Sequence, residues 1–424
     1  MKFAVSRIRF LRVLCLLLCC ACGALREREA LAEEWPRWRG PRGDGTWRVA
    51  DLPEKWPAAG LPPTWKKPIG GGYGGIAVEN QRVYLQDRQK QPSEVERVLC
   101  LDAPTGETLW VHTDPVEYGK LDYGNGPRGT PTVAGGRVYT LGAVGRLNCL
   151  DAATGAVVWT RDLVRDVQAQ IPMWGLAASP ILYGELVIVH PGAAEKGCLL
   201  ALRRDDGREV WRAGDDPAGY ATPILIRQGE TEQLVAWTPE HILGVAPRTG
   251  AIQWSVPFKV TYGVSIATPI YHEQKVFVTG YWEGSKAIRL DDTLQQARLA
   301  WEDKRHLRGV MTQPMYRQGH VYSLDKQYGL TCFELATGKK LWDDKHAMTP
   351  RGQNPQANLI WLGDSDRVLI LNAEGDLILA RLDPQGYHEA ARTKIIGPTW
   401  AHPAPAGDRL YARDDQEIVC VPLR

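Results

Sequence analysis

Short apolar strands of period-two character, separated by Gly-containing turns, run through almost the whole chain beyond residue 60. Hardly any stretch holds a helical apolar period, which argues against a helical solenoid. One unit recurs: an apolar strand, an Asp/Ala-rich corner, a Thr-Gly turn, then a short strand ending in Trp. The clearest copies are Cys100-Leu-Asp-Ala-Pro-Thr-Gly-Glu-Thr-Leu-Trp110 and Cys149-Leu-Asp-Ala-Ala-Thr-Gly-Ala-Val-Val-Trp159. Looser copies end at Trp211, Trp254, Trp301 and Trp342, at successive spacings of 49, 52, 43, 47 and 41 residues from Trp110 onward. In five copies a Gly stands four residues before the Trp: Gly106, Gly155, Gly207, Gly250 and Gly338.

A second element precedes each copy: a strand, a turn and an apolar strand, as in Pro131-Thr-Val-Ala-Gly-Gly-Arg-Val-Tyr139. Others open at Ile76, Pro180, Pro223, Pro269, Pro314 and Pro403, and a degraded copy lies near Leu359 to Leu371. The pattern therefore predicts an all-β fold with eight blades of four strands. Four strands with an apolar face cannot bury it alone, and radial stacking buries both faces. The expected architecture is an eight-bladed β-propeller with a Trp wedged between neighbouring blades. Trp65, Trp110, Trp159, Trp211, Trp254, Trp301 and Trp342 are the expected structural indoles.

Ring closure is also readable. The last repeat stops at Arg424 without its Trp strand, while an orphan Trp strand, Pro63-Thr-Trp65-Lys-Lys, precedes the first. The N-terminal strand is expected to complete the C-terminal blade and so remove two exposed edges.

Composition adds to this picture. Gly (43) and Pro (29) suit many tight turns, and 16 Trp against 5 Phe fits a recurring structural Trp. Residues 1–32 read as a secretory signal: a basic end (Lys2, Arg7, Arg9, Arg12), an apolar stretch over 13–25, and Ala30-Leu31-Ala32 as cleavage site. An uncleaved anchor, or lipidation at Cys22, is the alternative. Without those residues the chain carries 45 basic and 47 acidic side chains, so charge gives no reason to expect nucleic acid. No other stretch is long enough for a transmembrane helix. The mature chain keeps Cys100, Cys149, Cys198, Cys332 and Cys420. Their odd number argues against a full disulfide framework, and four share one repeat position, which reads as small buried hydrophobes.

The repeat Leu-Asp-Ala-x-Thr-Gly-x-x-x-Trp resembles the Trp-docking repeat of pyrroloquinoline-quinone-type (PQQ-type) propellers over about residues 65–424. That superfamily includes quinoprotein alcohol dehydrogenases and the BamB-type outer-membrane assembly proteins. The segment Trp35-Pro-Arg-Trp38-Arg-Gly-Pro-Arg-Gly-Asp-Gly45 resembles the mature start of secreted bacterial members. The implied division is a signal peptide over 1–32, a Trp-rich extension over 33–60 and the propeller over 61–424. The extension, with Trp35, Trp38, Trp47 and Trp56, reads as a strap packed across the propeller, or as a partner-binding peptide.

The repeat specifies a fold and leaves the chemistry to individual sites. The resemblance to quinoprotein dehydrogenases would imply adjacent bonded cysteines, a Trp floor, and Glu, Asn and Asp around calcium. The mature chain has no adjacent cysteines and no Cys-x-x-Cys-His haem site. The nine His residues stand apart in sequence, no zinc or EF-hand spacing occurs, and Asp102 and Asp151 read as turn residues. No Gly-x-Ser-x-Gly occurs. Gly70-Gly-Gly-Tyr-Gly-Gly75 precedes a strand and reads as close backbone approach.

One constellation has a geometric rationale. The residue three before each inner strand should face the axis: Tyr73, Arg128, Ala177, Tyr220, Ile266, Met311 and Trp400, with Gln356 as eighth. Trp174 and His402 lie nearby. They form a binding funnel or a channel plug. The expected function is a non-catalytic exported scaffold, periplasmic or extracellular, with a protein or polymer partner in the cell envelope and a nearest family role in outer-membrane protein assembly. No cofactor or metal is expected. The alternatives are a PQQ- and calcium-dependent sugar or alcohol dehydrogenase and a carbohydrate- or small-ligand-binding module.

Overall fold

The computed structural model of the protein describes residues 33–424 apart from 50, 51, 194, 310 and 353. The signal, cleavage and lipidation expectations fall on 1–32, outside the described residues. The rest forms eight antiparallel sheets of four strands, one of which gains a fifth. They make an eight-bladed β-propeller. Blade 1 runs from Ala77–Glu79 through Thr108–Pro115, and blade 7 from Ala357–Leu362 through Gly386–Lys394. Among the described residues one short α-helix, Leu163–Val167, capped by the Asp162 side chain, and one 3-10 turn, Thr261–Gly263, interrupt the β pattern.

The inner strands begin one residue later than the sequence suggests, at Thr132, Ile181, Ile224, Ile270, Met315 and Ala404. Each follows a Pro, which has no N–H to give the ladder, so pairing starts after it. The degraded seventh copy forms a full blade. Its inner strand is longer than its counterparts and pairs in parallel with Thr46–Trp47, Trp47 lying opposite Leu362.

The blades are held by their interfaces. One apolar cluster joins Tyr139 and Leu141 of the second blade to Val187, Val189 and Leu200 of the third, with Trp159 between. Six indole N–H groups donate to a carbonyl at the next blade's corner: Trp65 to Ala103, Trp110 to Ala152, Trp159 to Arg204, Trp211 to Pro247, Trp301 to Leu335 and Trp342 to Asp383, at 2.9 to 3.1 Å. Five of these rings lie flat on a corner Gly, where a Cβ would stand 2.6 to 2.8 Å from ring carbon. The bond is worth about 1 kcal/mol, whereas burying an indole removes roughly 200 Å² of surface, up to about 5 kcal/mol. Packing on the glycine therefore dominates, and the bond sets its direction.

Trp254 departs from the expected pattern. The next blade's corner, 291–296, contains no Gly. The indole turns onto Gly244 of its own blade and donates to Gln233 Oε1 at 2.9 Å. Gln233 Nε2 then donates to Leu294 O, at 2.7 Å, in the next blade.

The ring closes where the two chain ends meet. Trp65–Pro68 pairs antiparallel with Glu417–Pro422, Trp65 opposite Cys420. The extension crosses the ring. Trp35 exchanges backbone bonds with Val78, Pro36 O accepts from Val133 N at 2.8 Å, and Trp361 N donates to Gly45 O at 2.9 Å. Residues 35–47 thus span from the first two blades to the seventh, with Trp35 and Trp47 buried.

Candidate functional site

The connections that lead into the inner strands meet at one mouth of the axis. There they surround a cavity of about 250 Å³. All of the positions singled out in sequence line it: Tyr73, Arg128, Trp174, Ala177, Tyr220, Ile266, Met311, Gln356, Trp400 and His402. They come from blades far apart in sequence, so only the closed ring assembles them.

One wall is a chain of touching rings. Centroids stand 6.1 Å apart for Tyr73–Trp400, 5.7 Å for Trp400–Tyr123, 5.7 Å for Tyr123–Trp174 and 5.1 Å for Trp174–Tyr220. Burial pushes the Tyr220 phenol up to about 12, so it stays protonated. Amides of Gln313, Asn354, Gln356 and Asn358 line the remainder. Trp38 forms the floor. Its indole donates to Thr268 Oγ1 at 3.0 Å and meets His402 edge-on at 5.2 Å.

Two expected residues serve the scaffold as much as the funnel. Arg128 stacks on Tyr73 at 5.0 Å and donates to Gly126 O, to Gly124 O at 2.7 Å and to Asp122 O at 3.3 Å. Its charge holds the 122–126 loop, which carries Tyr123. His402 is almost fully buried beneath the rim, and its Nδ1–H donates to Pro403 O at 2.7 Å. Burial pulls its pKa down to about 4, so the ring is neutral near pH 7.

The structure adds residues that counting back from inner strands misses. Tyr123 lies on the loop before Arg128, and Asn354 Nδ2 donates to its hydroxyl at 2.9 Å. Tyr281 and Trp282 reach the mouth from the turn between the second and third strands of the fifth blade. Two adjacent aromatic residues between Gly280 and Gly284 were a legible signal for that turn. Tyr123, Met173, Tyr262 and Trp282 are exposed along this rim, and Trp282 meets Tyr262 at 5.5 Å.

The cavity's donor set can be compared with that of a quinone–calcium site. Calcium takes roughly six to eight oxygen ligands, mostly carboxylates and carbonyls. No Asp or Glu lines the cavity among the described residues. The five described cysteines are free and buried. The residues present do not fit a quinone held on calcium.

Asp102 Oδ2 accepts from Thr105 N and Oγ1, and Asp151 Oδ1 from Thr154 N and Oγ1, which locks the corners as turns. In the Gly-rich run a Cβ on Gly74 would stand 2.6 Å from Gly129 O, a close backbone approach. His241 does not stand alone in space. Its Nδ1 is 2.9 Å from Asp216 Oδ2, with Glu240 beside them, because adjacent connections of the fourth blade converge there. The Asp216 bonds to His241 and Thr238 account for the contact.

Eight blades, docked on recurring indoles and closed around a common axis, define a β-propeller of the PQQ-like repeat class. The family model described as outer membrane protein assembly factor BamB matches residues 94–344 and 258–424, and the chain belongs to that family. No curated protein matches it. BamB from Moraxella catarrhalis is similar in structure, with a TM-score of 0.58 at 18% identity, covering 84% of this chain and 98% of that one. A quinohemoprotein alcohol dehydrogenase from Comamonas testosteroni aligns with a TM-score of 0.65 at 14% identity, over 92% of this chain and 80% of that one. A europium-containing methanol dehydrogenase aligns with 0.63 at 12%, over 92% and 89%. At these identities the likenesses show the fold.

Proposed function

We propose that the protein is a non-catalytic binding propeller of the cell envelope, which engages a protein or polymer partner through its aromatic mouth. The carrying observation is that Tyr123, Met173, Tyr262 and Trp282 expose large apolar surface on one rim, around a cavity with no carboxylate among its described lining. Clustered exposed aromatic side chains are what partner surfaces use. Family membership supports an envelope partner, with outer-membrane protein assembly as the nearest role. No described helix is long and apolar enough to cross a membrane. Export rests on the leader read in the sequence.

The test is site-specific photocrosslinking in envelope preparations, with the probe at Trp282 or, as a control, at Asp364 on the opposite mouth. The reading expects one discrete adduct from position 282 and none from 364. Equal labelling from both, or none, removes it.

Carbohydrate binding is a second reading, supported by the pairing of ring faces with amides on one cavity. It expects soluble neutral oligosaccharides to quench Trp fluorescence in the wild type and not in Trp400→Ala. The dehydrogenase alternative expects quenching by micromolar PQQ with calcium, and the lining argues against it.

A further inference from the structure

At the opposite end of the axis, beyond Trp38, lies a second cavity of about 570 Å³. Its walls are the far ends of inner strands and the crossing segment, which contributes Arg37, Arg39 and Asp44. Arg39 is 2% exposed. Its guanidinium donates to Asp44 O at 3.0 Å, Pro314 O at 3.1 Å and Met315 Sδ at 3.3 Å. Among the described residues no carboxylate forms an ion pair with it. Arg37 has one bond, to Pro41 O at 2.9 Å. Arg317 stacks on the Trp361 ring at 4.6 Å and donates to Gly363 O at 2.9 Å, while its Nε is buried without a hydrogen-bond partner. The carboxylate nearest Arg317 is Asp364, 3.9 Å away on a side chain 92% exposed.

A buried guanidinium without an anion is costly, because carbonyl dipoles replace only part of its hydration. Burial draws the Arg39 pKa down to about 10, yet it remains charged at pH 7. The positive field reaches His272, whose pKa falls to about 4 through burial and then through Arg39, with a further contribution from Arg317. Asp44 and Glu273 oppose that field. Asp44 and Asp364 are the carboxylates among the described lining, against five Arg: Arg37, Arg39, Arg42, Arg227 and Arg317. Glu33 already pairs with Arg42, and Glu232 with Arg227. The excess falls on Arg37, Arg39 and Arg317.

We infer that this second cavity is a binding site for a small oxyanion, held by Arg37, Arg39 and Arg317 on the side of the propeller away from the aromatic mouth. Guanidinium forks suit carboxylate and phosphate oxygens alike. His272 and Tyr316, stacked at 3.8 Å, wall the cavity and give the organic part of such a ligand an aromatic flank. The site is independent of the mouth, since Trp38 lies between the two cavities and lines both.

Calorimetric titration of the exported chain with inorganic phosphate, and separately with citrate, tests the site and distinguishes phosphate from carboxylate ligands. Saturable one-to-one binding of at least one probe is expected. Arg37→Gln and Arg317→Gln should each weaken it about tenfold or more, the worth of a charge-assisted bond. Arg208→Gln, on an exposed corner, should leave it unchanged. Absence of saturable binding by both probes overturns the site. So does affinity indifferent to Arg37→Gln and Arg317→Gln, which marks diffuse surface attraction. Should Arg317→Gln fail to fold, Arg37→Gln decides alone, because its single bond lies within the crossing segment. Either outcome leaves the reading of the mouth untouched.

Discussion

Trp254 Nε1 donates to Gln233 Oε1, where six other repeat indoles reach directly for a carbonyl in the next blade. Gln233 relays that contact to Leu294 O across the interface. The amide stands in for geometry that a Gly-containing corner supplies elsewhere. Gln233→Leu should leave a buried indole N–H and a buried carbonyl unsatisfied, costing roughly 2 kcal/mol or more. Urea unfolding measures it. A loss below about 0.5 kcal/mol would show that the relay adds nothing to packing.

A corner glycine and a hairpin-turn glycine are predicted to be unequal. Gly155 has φ +74, and a Cβ there would stand 2.6 Å from the Trp110 ring. Gly184 has φ +53 with nothing within 4 Å. Gly184→Ala should therefore cost only the backbone penalty, about 1 kcal/mol, and Gly155→Ala at least about 2 kcal/mol more through overpacking. Thermal melts of the two variants give the comparison, and equal losses would contradict the stacking argument.

Closure at the seam has its own signature. Truncation through Pro68 removes the outer strand of the last blade and exposes the Glu417–Pro422 edge, and truncation through Pro53, which removes the crossing segment and keeps that strand, is the control. Such an edge is a template for pairing with another chain. The protein truncated through Pro68 should elute as concentration-dependent oligomers in size-exclusion chromatography. A stable monomer with an unchanged Tm would rule out the strand's sealing role.

Acid should weaken the fold through neutral, buried histidines. His190, His272 and His402 each have a pKa drawn down to about 4, with burial the largest cause in all three. Unfolding releases them to about 6.5, so the unfolded chain takes up protons first. Their contribution is complete above about pH 6.5 and is lost as pH falls from there through about 4, by about 3 kcal/mol per group at most. His402→Gln should flatten the fall of Tm over that window. An unchanged slope would mean that His402 is not held neutral.

Arg128 is predicted to act on loop order. Arg128→Met removes three bonds to the 122–126 loop. Amide exchange at Tyr123 and Gly124 should accelerate at least about tenfold with little change in Tm. Unaltered exchange would place the loop's order elsewhere.

Much of this was legible in the chain itself. The Trp spacing, the Gly four residues before it and the orphan Trp65 strand specify a closed eight-bladed ring, because each is a local requirement of one repeated interface. The positions three before the inner strands were readable for the same reason, and those described gather at one mouth. Local pattern marked the Tyr281-Trp282 turn but could not bring it, or Tyr123, to the same mouth, nor show Gln233 replacing a glycine contact. Nor could it show Arg39 buried against Pro314, 275 residues away. Those depend on where the ring carries distant segments once it closes. Repetition determines how each blade meets its neighbour. What the axis holds, and which charges are left without partners around it, is decided only when the crossing segment and all eight blades occupy one space.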